Sequence, residues 1–291
     1  MTQVHCCRCL VHCCRCLDHS HLREYRQLVP PPLILLPPSE GKAQGGEGRP
    51  WENTDQSFPE LAEPRQEVIA ALFEAMGEAP ETRSKLLGVK GGRAEEATAA
   101  NLAVPTAPTM AAIGRYTGVL YDSLDYRSLP TKVRRGVDRQ VVIFSGLWGA
   151  VRPTDPVPNY KLKMGAMLPN LGRLAAFWKP ILGVTLAESA AGTVWDLLPN
   201  EHSAAWDPSI ASQRIKVRFL DEVTRDGKRK MVTVSHWNKL LKGALVRHVV
   251  EYGVDEPEGL VDFTHPEGYK YDSSLTVITD TTTEIALVSR R

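Results

Sequence analysis

A glycine-rich loop that carries one lysine is the first part of the chain whose residue types suggest chemistry. It runs Pro37-Pro-Ser-Glu-Gly-Lys-Ala-Gln-Gly-Gly46 and directly follows an apolar run. Glycine leaves backbone N–H groups free to face an anion, and Ser39 and Lys42 add a hydroxyl and a positive charge. The loop lacks the upstream glycine and the hydroxyl after the lysine that a nucleotide-binding P-loop requires. It predicts an anion-binding loop or, alternatively, a simple turn at the end of a strand.

Two neighbouring segments carry a second set of candidate residues. Ser145-Gly-Leu-Trp-Gly-Ala-Val-Arg-Pro-Thr-Asp155 follows another apolar run, and Tyr160-Lys-Leu-Lys-Met-Gly165 comes shortly after it. Arg152 either pairs with Asp155 or points at a phosphate, and Ser145 lacks the G-x-S-x-G pattern of a hydrolase nucleophile. Ligands in doubly wound α/β proteins bind at the carboxyl ends of strands, so the candidate phosphate ligands here are Arg152, Tyr160, Lys161 and Lys163.

A third candidate is the segment Gly88-Val-Lys-Gly91, which lies between two helix-like stretches. In a helix-hairpin-helix element, a glycine-containing turn and the N-terminus of the next helix bind a DNA phosphate through backbone N–H groups. The residues that supply these ingredients are Gly88, Lys90, Gly91 and Arg93. The alternative is an ordinary connection between two helices.

All six cysteines fall within the first 16 residues, in a tandem repeat of V-H-C-C-R-C-L. Cysteine and histidine at this density can bind zinc or copper. Structural zinc sites, however, separate their ligand pairs by a loop that folds around the ion, whereas these cysteines are adjacent or one apart. We therefore predict a disordered Cys/His-rich tail over residues 1–32 and no metal site, with metal sequestration by the tail as a weaker alternative.

The sequence assigns no catalytic residue. His202, His236, His248 and His265 are scattered, and only His202 adjoins a carboxylate, that of Glu201. Adjacent residues in a helix or strand point in different directions, so this pair is not predicted to be a catalytic dyad.

Charged residues are segregated along a chain whose formal net charge is only +1. Residues 131–179 hold nine basic and two acidic residues, and residues 211–248 hold ten basic and three acidic residues. Acidic residues dominate 43–81 and 249–291. If the two basic stretches converge, they form a positive groove that can hold a phosphate backbone. Alternatively, the charges spread around the surface of the fold.

The elements that must position these residues predict an α/β fold. Apolar runs predict buried strands over 33–36 and 141–144, and helical apolar spacing predicts helices over 61–77 and 239–250. Alternating residues over 215–220, a charged turn and a second run over 231–234 predict a β-hairpin with one solvent-facing side. We predict a single mixed-sheet domain with flanking helices over residues 33–291.

No window reaches the roughly 18 consecutive apolar residues of a membrane span. The apolar run at 33–36 is too short for a secretory signal. A cytoplasmic protein without a membrane partner is therefore expected, and the sequence does not predict its oligomeric state.

Taken together, the motifs resemble the YaaA family of bacterial peroxide-stress proteins. The resemblance is carried by Leu33-Ile-Leu-Leu-Pro-Pro-Ser-Glu-Gly-Lys42, by the segments 145–155 and 160–165, and by Phe177-Trp178 and Gly268-Tyr269. It implies a cytosolic protein of the oxidative-stress response that helps to limit iron-driven damage. It also implies a single α/β domain with a helix-hairpin-helix element and a positively charged cleft that binds DNA duplexes.

Two functions follow as hypotheses. The first is binding of double-stranded DNA with weak sequence preference, because contacts to phosphates carry little sequence information. The alternative is an enzyme acting on a phosphorylated or nucleotide-like small molecule, and neither hypothesis invokes a cofactor. The predicted phosphate-binding residues are Ser39, Lys42, Gly88, Lys90, Gly91, Arg93, Arg152, Tyr160, Lys161, Lys163, Lys239, Lys242 and Arg247.

Removal of residues 1–30 is expected to leave folding and DNA binding intact, because a run of three prolines separates the tail from the first strand. Thermal unfolding and DNA titration of the truncated and full-length chains provide the measurement. A truncated chain that fails to fold, or that loses a metal needed for activity, would contradict this prediction.

Overall fold

The computed structural model describes residues 31–225, 227–234, 238–265 and 267–290. The predictions for the cysteine repeat lie outside these residues. The strands are β1 (Leu33–Leu36), β2 (Met110–Ala111), β3 (Val141–Ser145), β4 (Gly149–Val151), β5 (Pro156–Val157), β6 (Met167–Leu168), β7 (Gly172–Arg173), β8 (Thr193–Asp196), β9 (Gln213–Arg225), β10 (Lys228–Thr233), β11 (Lys270–Tyr271), β12 (Val277–Ile278) and β13 (Thr282–Ser289). The α-helices are α1 (Ala62–Met76), α2 (Pro80–Leu87), α3 (Gly92–Leu102), α4 (Ala112–Arg115), α5 (Val119–Leu124), α6 (Thr131–Gln140), α7 (Leu174–Thr185), α8 (Ala187–Ala190), α9 (Asn200–Ser203) and α10 (Asn238–Tyr252).

Nine of the strands form one mixed sheet, in the order β11-β13-β9-β8-β1-β3-β4, with β10 paired to β9 and β12 paired to β13. Each neighbouring pair along β13, β9, β8, β1 and β3 is parallel. The remaining strands of this sheet pair antiparallel. Both β1 and β3 are buried along their whole length, as expected for strands covered on both faces. The predicted α/β class with a mixed sheet is therefore confirmed, and so are the two predicted strands.

The order of the parallel strands defines where a ligand can bind. Across the sheet the parallel strands follow the order β3, β1, β8, β9 and β13, so the first two parallel strands of the chain are exchanged. The chain leaves β1 for β3 on one side and later returns to β8 on the other side. Such a reversal opens a crevice outside the carboxyl ends of the two strands, here β1 and β8, and α/β proteins bind ligands in that crevice.

The two long helices pack through the apolar residues whose spacing predicted them. α1 buries Val68 and Leu72, and α10 buries Leu241 and Leu245. All four belong to one apolar cluster that also contains the residues of β1. Both helices match the predicted ranges to within two residues. Among the described residues, no helix has the length and apolar character needed to cross a membrane.

The predicted hairpin is confirmed, but its first strand is longer than the pattern indicated. β9 and β10 pair antiparallel, and Gly227 supplies a positive φ of 70° at the turn. The first half of β9 also lies between β8 and β13 as an interior strand. Its basic residues are therefore not on a freely solvated face, and Arg214 instead donates to the buried carboxylate of Asp196 (2.8 Å). Local alternation could not reveal partner strands on both sides.

α10 packs against the backbone of α5 at Gly243. A Cβ at this position would lie 2.2 Å from the carbonyl oxygen of Leu120 and 2.8 Å from the backbone nitrogen of Leu124. Gly243→Ala is therefore expected to lower the free energy of unfolding by about 2 kcal/mol, despite the higher helix propensity of alanine. Denaturant-induced unfolding of the variant and the unmodified chain provides the measurement.

Gly183→Ala in α7 is the matched control for this substitution. A Cβ at Gly183 would meet nothing within 4 Å. The control is expected to range from neutral to about 1 kcal/mol more stable. Equal free energies of unfolding for the two variants would argue against the close approach of α5 and α10.

Candidate phosphate-binding site

Lys42 lies in the loop that follows β1, at the edge of the crevice. Its backbone forms an antiparallel bridge with Tyr116. Its Nζ donates to the carbonyl oxygen of Ser39 (3.1 Å) and lies 4.2 Å from the ring centre of Tyr160 and 5.7 Å from that of Tyr116. Thr117 packs closely beside it, since a Cβ on Gly41 would lie 2.9 Å from Oγ1 of Thr117. Two aromatic rings and one carbonyl therefore position the ammonium of Lys42.

The glycines that follow Lys42 serve close packing. A Cβ on Gly46 would lie 2.6 Å from the carbonyl oxygen of Thr109, and one on Gly48 would lie 2.4 Å from its Oγ1. Arg115 donates to the carbonyl oxygens of Ala43 and Gly45 and thereby fixes this part of the loop. The structure thus favours a structural turn at residues 43–48. Anion binding by this loop stays a prediction for residues 39–42 only.

Three hydrogen-bonded hydroxyls position the Tyr160 ring that contacts Lys42. The hydroxyl of Tyr160 lies 2.8 Å from that of Tyr116 and 2.7 Å from Oγ of Ser145, at the carboxyl end of β3. Ser145 also accepts hydrogen bonds from the backbone N–H groups of Leu147 and Trp148. Burial raises the pKa of Tyr160 to about 12, so its hydroxyl stays protonated at neutral pH. The network fixes the ring on which the Lys42 ammonium rests.

A buried amide positions the second lysine of the site. Asn101, at the end of α3, accepts from the backbone N–H of Lys161 (2.8 Å) and donates to its carbonyl oxygen (3.0 Å). The Lys161 ammonium lies 3.4 Å from a carboxylate oxygen of Glu40. This proximity lowers the pKa of Glu40. The Glu40 side chain is 74% exposed, so the ion pair is solvated and weak.

A cavity of about 110 Å³ lies at the carboxyl ends of β1 and β8. His202 and Glu201 reach it from α9, which follows β8. Burial lowers the pKa of His202 to about 4, so the ring is neutral, and its Nδ1 is buried with no hydrogen-bond partner among the described residues. Glu201 accepts from the backbone N–H of Gly165 (2.6 Å). The lining residues are Pro38, Ser39, Glu40, Lys42, Tyr160, Lys161, Leu162, Lys163, Glu201 and His202.

Burial also lowers the pKa of two lysines at the strand ends. It lowers the pKa of Lys42 to about 7, and the nearby charge of Lys161 acts in the same direction. It lowers the pKa of Lys242 to about 8, against the opposing effect of the Asp196 carboxylate. The Lys242 ammonium donates to the carbonyl oxygen of Leu197 (2.8 Å), directly after β8. Burial therefore favours the uncharged form of both amines.

Lys163 connects the cavity to the turn between α2 and α3. Its Nζ lies 2.8 Å from the position that a Cβ on Gly88 would occupy. It lines both the small cavity and an open one of about 1020 Å³ beside α2. Gly88 and Gly91 have positive φ angles of 67° and 57°. The turn lies between two helices as predicted, and its identity as a DNA-binding hairpin stays a prediction.

Five lysines from three segments of the chain thus lie around the crevice. Lys239 is exposed on α10, and its charge acts on both Glu40 and Lys242. We call this set the lysine cluster: Lys42, Lys161, Lys163, Lys239 and Lys242. Ser39 and Tyr160 lie within it, and Gly88 lies beside it through Lys163.

Arg152 lies at the opposite end of the sheet from the lysine cluster. It follows β4, which runs antiparallel to β3, so it returns to the amino end of the parallel strands. Its guanidinium donates to the carbonyl oxygens of Arg139 (2.7 Å) and Val141 (3.3 Å). The Asp155 carboxylate accepts from the backbone N–H of Arg152 (2.8 Å). The side chain stabilises this loop, and the structure does not bring it to the crevice.

The other predicted residues lie outside the cavity. Arg247 donates to Oγ of Ser128 (2.8 Å) and pairs with Glu251 (3.8 Å), so its guanidinium joins α10 to the segment after α5. Lys90 and Arg93 are exposed on the turn and on the first residues of α3, beside the cluster. Among the described residues, no group of three or more His, Cys, Asp or Glu side chains is arranged to hold a metal ion.

The fold and the site together define an α/β protein with a cluster of lysines at the switch point of its parallel strands. The sequence profile of the family described as peroxide stress protein YaaA matches residues 33–275, and the chain belongs to this family. The predicted resemblance is confirmed. Membership supports a role in the peroxide-stress response.

Relatives from several bacteria match most of the same region. A UPF0246 protein of Streptomyces coelicolor is 40% identical over 247 residues, which cover 83% of this chain and 92% of the relative. A UPF0246 protein of Corynebacterium glutamicum is 37% identical over 215 residues, covering 74% of this chain and 83% of the relative. One from Neisseria gonorrhoeae is 28% identical over 166 residues, covering 56% and 64%. The similarity therefore extends well beyond the short motifs.

The lowered pKa of Lys42 predicts how its replacement changes stability with pH. Between about pH 7 and pH 10.5, the unfolded chain binds a proton at Lys42 that the folded chain does not bind. The unmodified chain therefore gains stability as the pH rises through this range. Lys42→Met is expected to be roughly 2–4 kcal/mol more stable than the unmodified chain near pH 7, with the difference disappearing toward pH 10.5.

Denaturant-induced unfolding at one-unit pH intervals measures this difference. Lys132→Met serves as the control, because Lys132 is exposed on α6. A stability difference for Lys42→Met that does not change with pH would show that Lys42 is not buried as described.

Proposed function

We propose that this chain acts in the peroxide-stress response by binding the phosphates of double-stranded DNA at the lysine cluster. The observation that carries the proposal is the position of Lys163. Its ammonium contacts Gly88 in the turn and also lines the cavity that contains Lys42 and Lys161. A phosphate backbone lying across the crevice would therefore meet the cluster and the α2–α3 turn together.

The charge and exposure of the cluster suit a backbone ligand. Lys163 and Lys239 are exposed, and Lys90 and Arg93 extend the positive charge along the turn. Each neutralised phosphate releases condensed counterions, which drives sequence-independent binding. Because these contacts are to phosphates and not to base edges, sequence preference is expected to be weak.

A second function is favoured by the small cavity within the site. The cavity of about 110 Å³ is lined by the half-buried Lys42 and by His202, whose Nδ1 is buried. Buried groups with shifted pKa values are more typical of small-molecule sites than of an open DNA surface. The second candidate is therefore an enzyme that acts on a phosphorylated or nucleotide-like small molecule.

Neutralising the exposed part of the cluster is expected to weaken DNA binding strongly. For Lys163→Gln with Lys239→Gln, we expect affinity for a duplex to fall about tenfold or more at about 100 mM salt. The slope of log affinity against log salt should decrease by about two, because two phosphate contacts are lost. Fluorescence anisotropy titrations at several salt concentrations, with two unrelated duplex sequences, provide the measurement.

Arg229→Gln with Lys230→Gln is the matched control, since it removes the same charge from exposed residues of β10. The control is expected to change affinity less than about twofold. Equal losses for the two double variants would indicate diffuse attraction without a formed site. Absence of duplex binding by the unmodified chain would reject the DNA proposal and favour the small-molecule enzyme.

A further inference from the structure

Lys42 shares a single hydrogen bond to a carbonyl oxygen with Lys242, but among the described contacts of the lysine cluster the aromatic rings lie beside the ammonium of Lys42. Its Nζ makes one hydrogen bond, to the carbonyl oxygen of Ser39, and no ion pair among the described residues. Lys161, in contrast, pairs with Glu40. The Lys42 side chain lies against the ring of Tyr160 and lines the small cavity. It is thus an amine held by rings and a carbonyl, facing a space that can hold part of a ligand.

These surroundings are those of an activated amine. A lysine becomes nucleophilic when it is desolvated or lies beside another cation, because both conditions favour the neutral form. Lys42 meets both conditions, and the resulting pKa of about 7 leaves a large neutral fraction at physiological pH. The charged groups that act on it are Lys161, Glu40 and Arg115.

We propose that Lys42 is a nucleophile that forms an imine with the aldehyde of a phosphorylated open-chain sugar bound in the crevice. The proposal deepens the proposed function, since it rests on phosphate binding by the same cluster. Two sources share this chemistry: an abasic deoxyribose within DNA and a free sugar phosphate.

The neighbouring lysines supply the phosphate recognition that this ligand requires. Lys161 and Lys163 line the same cavity as Lys42. The carboxylate of Glu40 lies 3.4 Å from Lys161 and is 74% exposed, so a phosphate can replace it at little cost. A ligand with an aldehyde near its phosphate would therefore place the phosphate on Lys161 and Lys163 and the aldehyde carbon toward Lys42.

The reaction balances without an oxidant or reductant. The lone pair of Nζ attacks the aldehyde carbon, and the C=O electron pair moves to oxygen to give a carbinolamine. The carbon–oxygen bond then breaks, and the oxygen leaves as water with the two protons that the amine loses. His202 lines the cavity with a neutral ring, so it can carry a proton between nitrogen and oxygen in these steps.

Reductive trapping tests the proposal directly. The full-length chain is incubated with cyanoborohydride and one of three probes: a labelled duplex with a single abasic site, ribose 5-phosphate, or propanal as an aldehyde without phosphate. We expect a stable adduct, mapped by peptide mass spectrometry to Lys42, with at least one phosphorylated probe. Trapping by propanal should be about tenfold weaker, because it lacks the phosphate that positions the aldehyde.

Two variants and the mapped position of the adduct show whether Lys42 is the reacting amine. Lys42→Met should reduce adduct formation about tenfold or more, whereas Lys132→Met should leave it unchanged. Mapping in the unmodified chain does not depend on whether a variant folds. An adduct only with the abasic duplex identifies DNA as the source, and an adduct only with ribose 5-phosphate identifies a free sugar phosphate. No adduct, or adducts spread over exposed lysines, would overturn the proposal.

Binding of an intact duplex, measured in parallel, separates this proposal from the proposed function. Tight binding of the intact duplex without an adduct at Lys42 rejects the imine and leaves DNA binding in place. An adduct with ribose 5-phosphate, without duplex binding, rejects DNA binding and supports the imine.

Discussion

The pairing of β1 with both β3 and β8 is the constraint on which the site depends. Because β1 is parallel to each neighbour, the carboxyl ends of all three strands meet at one edge of the sheet. That edge receives Lys42 from the loop after β1, Ser145 from the end of β3 and His202 from the helix after β8. A shift of β1 by one residue would reverse which side chains face each layer of the fold. The observed register of β1 against β3 and β8 therefore brings the polar residues of the site together.

Partial burial of the Lys42 amine costs free energy, because the charged form loses hydration. Desolvation disfavours the ammonium, and the ring of Tyr160 and the carbonyl of Ser39 recover only part of the lost hydration. Neighbouring residues hold the Lys42 side chain in place. Tyr160 is hydrogen-bonded to Ser145, and Arg115 fixes the loop that follows Lys42. Strongly shifted pKa values are typical of functional sites. Lys42 is for this reason the residue of the cluster with the strongest case for chemistry beyond charge.

The sequence predicted the elements that depend on local pattern. The strands at 33–36 and 141–144 and the helices at 61–77 and 239–250 are set by apolar runs and spacing, and all four are present. The sequence also predicted four phosphate-binding residues that line the cavity, because they follow predicted strands or lie shortly after a segment that does. They are Ser39, Lys42, Tyr160 and Lys161. Tyr116 and Asn101 carried no local signal, because their partners lie 44 to 74 positions away in the chain. His202 carried none because its place at the cavity depends on the strand order. Sequence spacing cannot report that order.

The basic stretches 131–179 and 211–248 contribute only part of their charge to the crevice. The different chemistry of arginine and lysine side chains explains which part. Arg152 and Arg247, one from each basic run, donate to carbonyl or hydroxyl oxygens of neighbouring segments, as does Arg115 outside the runs. A guanidinium has five donors in a fixed fork, which suits bridging of loop oxygens. An ammonium is a compact point charge on a flexible stem, and its pKa responds readily to burial. These three arginines stabilise the fold, while lysines from both basic runs join Lys42 at the strand ends, where their charge can act on a ligand.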